Sequence, residues 1–105
     1  MAAVVIQVVS FDWDEENEGE CRAHGLTPFI VVEVNERFPL YFLNKIGRTA
    51  THMMIGPSMS GRFWVVAILP HEKIVSCWRP ITGYPAEKKE MELYEQEMAR
   101  LARQY

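Results

Sequence analysis

Thr49-Ala50-Thr51-His52-Met53-Met54-Ile55 stops at Gly56-Pro57-Ser58, and Phe63-Trp64-Val65-Val66-Ala67-Ile68-Leu69 stops at Pro70-His71-Glu72. Two apolar runs of this length, each closed by turn residues, read as neighbouring strands of an antiparallel meander. A shorter run, Leu40–Leu43, precedes them and is broken by Asn44 through Gly47. Residues 74–78 follow, continued by Arg79, Pro80 and Ile81. Pro80 has no N–H to donate, so its strand belongs at an edge or carries a bulge there.

Upstream, Val4-Val5-Ile6-Gln7-Val8-Val9 is continuous and largely β-branched, which predicts a buried strand, ended by Phe11-Asp12-Trp13-Asp14. Asp14 suits the N-cap of a helix over residues 15–24, with Glu15 and Glu16 in its positive first turn and Gly25 as the left-handed residue after it. Gly19 inside that helix is unfavourable by about 1 kcal/mol relative to alanine. Thr27-Pro28 starts a second helix, hydroxyl cap first and proline where no N–H is missed. The Ile and Val content of residues 28–34 leaves a strand as the competing reading there.

After Pro85, Met91, Tyr94, Met98, Leu101 and Tyr105 recur at spacings of 3, 4, 3 and 4, the apolar stripe of an amphipathic helix. Glu87, Glu90 and Glu92 lie toward its positive start, and Arg100 and Arg103 toward its negative end. The expected architecture is one α+β domain over residues 1–105. Two N-terminal helices and a C-terminal helix pack on a twisted antiparallel sheet of about four to five strands.

A chain of 105 residues that is 49% hydrophobic supports one core and is too apolar for disorder. The net charge of −3 argues against a generic nucleic-acid binder, but the total hides a split. Residues 1–36 carry eight acids against Arg22 alone, a net of −7; residues 37–85 carry six basic residues against Glu72, a net of +5; residues 86–105 have a net of −1. The middle segment could therefore face a polyanion. Cys21 and Cys77 make no disulfide framework and read as two reduced thiols. Residues 2–9 lack a basic flank and fall far short of the roughly 20 apolar residues that span a bilayer, so a soluble cytoplasmic protein without membrane contact is expected.

The chain has no Gly-rich phosphate loop, nucleophile elbow or Cys-x-x-Cys pair. Cys21-x-x-His24 has ligand-like spacing but no second pair, so neither a metal nor a cofactor is expected. His24 serves equally as a dipole partner at the helix end. Arg48, His52, Arg62 and Arg79 all fall in the sheet region, and alternation puts Arg48 and His52 on one face. Such residues either hold a phosphodiester, with the imidazole moving a proton, or form a solvated sheet face. Trp13, Trp64 and Trp78 read as core residues; the alternative is that one stacks on a nucleobase.

Three blocks resemble a known family. Trp13-Asp14-Glu15-Glu16-Asn17, His24-Gly25-Leu26-Thr27-Pro28 and Val32-Glu33-Val34 are similar to the "WDxxN/K…HGV" opening of the BrnT-type toxins. Ile55-Gly56 and Gly61-Arg62-Phe63-Trp64-Val65-Val66 continue the likeness. Ile81-Thr82-Gly83-Tyr84-Pro85-Ala86, with Glu90 and Tyr94, resembles the closing "I-S/T-A-R-x-A…E…Y" signature. Tyr84 stands where that signature often has arginine, and Pro57 where many members have arginine or another polar residue.

The resemblance implies a RelE-like fold and a small metal-independent ribonuclease neutralised by a cognate antitoxin. RNA would lie on the sheet and be cut by its own 2′-hydroxyl. On this reading Arg62 and Arg79 bind phosphate, His52 or Tyr84 handles the proton, and Arg48, Lys45 and Trp64 contact RNA. The alternative is a catalytically degenerate interaction module of the same fold. Met91, Tyr94, Met98 and Leu101 would then face a partner protein or a second copy of the chain.

Overall fold

The computed structural model describes residues 1–104. Tyr105, the last member of the apolar stripe, lies outside the described residues. The elements in chain order are β1 (Ser10–Phe11), α1 (Glu15–Arg22), α2 (Pro28–Glu36), β2 (Leu40–Leu43), β3 (His52–Pro57), β4 (Phe63–Pro70), β5 (Cys77–Pro85) and α3 (Lys88–Ala102). They form an α+β fold with the helices packed on a five-stranded sheet of order β1-β5-β4-β3-β2. The meander is antiparallel throughout, whereas β1 pairs parallel with β5, so the sheet is mixed. The register shifts between Ala67 and Ile68 opposite β5, the irregularity expected where Pro80 cannot donate.

Residues 4–9 do not form the expected buried strand. Val4 N–H bonds Tyr41 O on β2, but Val9 N–H bonds Ser76 O beside β5, at the other side of the sheet. A segment whose donors are divided between the two sides cannot run along either. It crosses as a strap instead, with Ile6 and Val8 packed inward while Val5 is fully exposed. Trp78 Nε1–H donates to Gln7 O at 3.0 Å and Asn35 Nδ2–H to Val8 O at 3.1 Å, which fixes the strap against β5 and α2.

Helix α1 is capped as its sequence requires: Asp14 Oδ1 accepts from Asn17 N–H, and Asn17 Oδ1 accepts in return from Asp14 N–H. For residues 28–34 the helix prevails over the strand. Thr27 Oγ1 accepts from Ile30 N–H at 3.2 Å, Pro28 presets the first turn, and Val31 and Val34 become one buried face. The α1–α2 turn passes through Gly25 at a φ of 81°, as expected for a left-handed position.

The two helical units cover opposite faces of the sheet. Cys21, Leu26, Val31 and Val34 of α1, α2 and their turn pack with Met54, Trp64, Val66, Ile68 and Trp78. On the other face Tyr94 of α3 packs with Phe42, Ile55 and Val65. Alternation along β3 and β4 explains the division: Met54 and Val66 point one way, Ile55 and Val65 the other. Among the described residues no helix is long and apolar enough to cross a membrane.

Candidate functional site: a basic-rimmed cleft beside the third helix

The third helix covers only part of its face. Between α3, the strands and the β2–β3 connection lies a cleft of about 710 Å³. Its floor is apolar, from Met53, Val65, Ala67 and Ile81, and its rim carries Lys45, Arg48, Lys89, Tyr84 and Glu90. Lys45 and Arg48 arrive on the connection, which is held by Asn44 Nδ2–H donating to Ala50 O and by Arg48 N–H donating to Lys45 O. Tyr84 is placed by β5, opposite Val65. Burial raises its phenol above the ordinary range, and the carboxylates of Glu90 and Glu87 add to the rise, so the hydroxyl stays protonated at neutral pH.

Three of the expected residues therefore line one cleft: Lys45, Arg48 and Tyr84. The others do not join them. His52 lies with Met54 on the α1/α2 face, its ring edge-on to Trp78 at 5.0 Å. Burial pushes its imidazole down, and Thr51 Oγ1 lies 2.7 Å from Nδ1. Arg48 and His52 thus do not share a face, because Arg48 belongs to the connection and strand alternation begins only at His52.

Arg79 is occupied by protein carboxylates, with Nη2 2.8 Å from Asp14 Oδ2 and Nη1 3.6 Å from Asp12 Oδ2. Arg62 sits in the β3–β4 turn, its Cζ 4.9 Å from the centre of the Trp64 ring. Since Arg79 is level with Leu69, seven positions along β4 from Arg62, the two arginines lie roughly 23 Å apart along the strand direction. One phosphate cannot bridge them.

Trp64 is only 3% exposed, enclosed by the turn at Gly25 and by Arg62, so its ring offers no free face to a base. The stripe on α3 is divided too. Tyr94 is a core residue whose hydroxyl donates to Phe38 O at 2.6 Å, Met91 and Leu101 are half-buried, and Met98 is 37% exposed. The buried side of α3 is set instead by Glu90, Leu93, Tyr94 and Glu97.

Glu90 and Glu97 are the residues that sequence reasoning missed. Glu87-x-x-Glu90 after Pro85 is a capping-box spacing, and Glu87 N–H does donate to Glu90 Oε1 at 2.7 Å. Glu97 binds Arg100 through both carboxylate oxygens, at 2.5 and 2.9 Å, and accepts from Ala3 N–H. Its i,i+3 spacing to Arg100 was the available signal.

Cys21 and Cys77 are both free and buried, and burial pushes the Cys21 thiol up to about 11. Among the described residues no group of three or more His, Cys, Asp or Glu side chains is arranged to hold a metal ion. No protein-family model, curated protein or solved structure matches the chain.

Proposed function

We propose that this chain is a BrnT-like ribonuclease that binds single-stranded RNA in the cleft and cleaves it without a divalent metal. The supporting observation is that Lys45, Arg48, Lys89 and a Tyr84 that keeps its proton line one cleft with an apolar floor. Cations at a rim neutralise phosphates, and a positioned phenol donates a proton to a leaving oxygen. An apolar floor accepts an unstacked base. Tyr84 replaces the arginine of the family signature and takes the acid role itself.

This assignment moves the site away from His52, Arg62, Arg79 and Trp64. A second reading, a non-catalytic module of the same fold that binds a partner protein or itself, is favoured by that dispersal of the residues a nuclease was expected to unite. One experiment separates the two readings. Purified protein is incubated with free and ribosome-bound RNA in EDTA, alongside expression in cells with and without a cognate antitoxin. Cleavage and growth arrest, both relieved by the antitoxin, support the ribonuclease; intact RNA in every arm leaves the binding module.

A further inference from the structure

Glu90 is 6% exposed, yet it borders the same cleft as Tyr84. Its two oxygens have different surroundings. Oε1 accepts from Glu87 N–H at 2.7 Å and so fixes the side chain at the start of α3. Oε2 has no such donor; its near neighbour is Lys89 Nζ at 3.8 Å, on a lysine whose side chain is 80% exposed. One oxygen thus holds the group in place and the other takes no part in the cap, on a carboxylate that lines the same cleft as the Tyr84 phenol.

We propose that Glu90 is the general base of the cleft and Tyr84 its general acid. This deepens the ribonuclease reading above and rests on it. Glu90 Oε2 takes the proton of the ribose 2′-hydroxyl as O2′ forms a bond to phosphorus. The P–O5′ bond breaks, its electron pair goes to O5′, and the Tyr84 hydroxyl protonates that oxygen. The products are a 2′,3′-cyclic phosphate and a 5′-hydroxyl, and water returns the proton from Glu90 to Tyr84. The raised Tyr84 phenol keeps its proton at neutral pH and so has one to give. The charged groups bordering the pair are Glu87 at the N-cap of α3, Lys89 of α3, and Lys45 and Arg48 of the connection.

Glu90→Gln tests the assignment, because glutamine keeps the acceptor for Glu87 N–H and removes only the base. Cleavage of a short oligoribonucleotide is followed from pH 5 to 9 in EDTA. Affinity is read in parallel with the same oligomer carrying 2′-deoxyribose, which binds but cannot be cut. The expected result is a cleavage rate lowered by about a hundredfold or more, while affinity stays within about twofold. Partial rescue of Glu90→Gly by added formate is expected as well, and a purely capping role would not produce it. A Glu90→Gln rate equal to wild type would overturn the base assignment alone. RNA bound but uncut by wild type would overturn the ribonuclease reading and this assignment together.

Discussion

A Cβ built on Gly83 would lie 2.2 Å from Leu26 Cδ2 and 3.0 Å from Val65 O. Leu26 is fully buried in the α1–α2 turn, so that turn presses directly on β5 through the missing side chain.

Gly83→Ala is therefore expected to destabilise by about 1–3 kcal/mol through overpacking. Leu26→Val alone should cost about 1 kcal/mol for its lost methylene. The double variant should recover most of both losses, a coupling that urea denaturation of the four proteins measures directly. Additive losses would show that the two positions do not share one space.

Lys45→Ala and Arg48→Ala should each weaken RNA binding, and together reduce the salt dependence of affinity. The slope of log affinity against log salt should fall by about 0.7 for each phosphate contact removed from a single strand. Fluorescence anisotropy at several salt concentrations reads this. Tyr84→Phe should leave the affinity and the slope unchanged while slowing cleavage, because in the proposed ribonuclease the phenol serves the leaving oxygen and not the phosphate charge.

Arg79→Ala should lower stability by about 1 kcal/mol or less, the usual range for a partly exposed ion pair. Cleavage should be unaffected, since the guanidinium is engaged by Asp14 and Asp12. Thermal unfolding and a cleavage assay on the same preparation separate the two effects.

Glu97 gives the fold an acid-sensitive contact. The Arg100 guanidinium, with the Ala3 N–H, holds its carboxyl down to about 2 from the usual 4.5. A carboxyl depressed in the folded state contributes fully above its unfolded value, and the contribution is lost as pH falls through the folded one. The difference in stability between wild type and Glu97→Gln should therefore be constant above about pH 5 and shrink toward pH 2. Melting temperatures across that range test it.

Much of this fold is written locally. Asp14, Thr27-Pro28 and Gly25 cap their helices through neighbours three residues away or fewer, and the meander follows from runs ended by Gly56-Pro57 and Pro70-His71. What was not legible depends on long-range placement. The strap at residues 4–9 has strand-like composition, but its partners, Tyr41 and Ser76, stand on opposite sides of the sheet.

The site was legible in part for the same reason. Lys45, Arg48 and Tyr84 line one cleft although Tyr84 follows Lys45 by 39 positions and Arg48 by 36. Alternation counted from Arg48 puts His52 on its face, but Arg48 lies outside the strand, which begins at His52. The engagement of Arg79 is not legible locally, because Asp14 lies 65 positions away in sequence. Glu90 looked like a dipole partner until the helix placed it at the cleft.

The most direct test sets the two faces against each other in one assay: cleavage of single-stranded RNA in EDTA, with products examined for a 2′,3′-cyclic phosphate. Wild type and the His52→Ala/Arg79→Ala variant should cleave at similar rates, whereas Lys45→Ala/Arg48→Ala and Tyr84→Phe should lose most of that activity. Retention of cleavage by the cleft variants together with its loss in His52→Ala/Arg79→Ala would contradict the account.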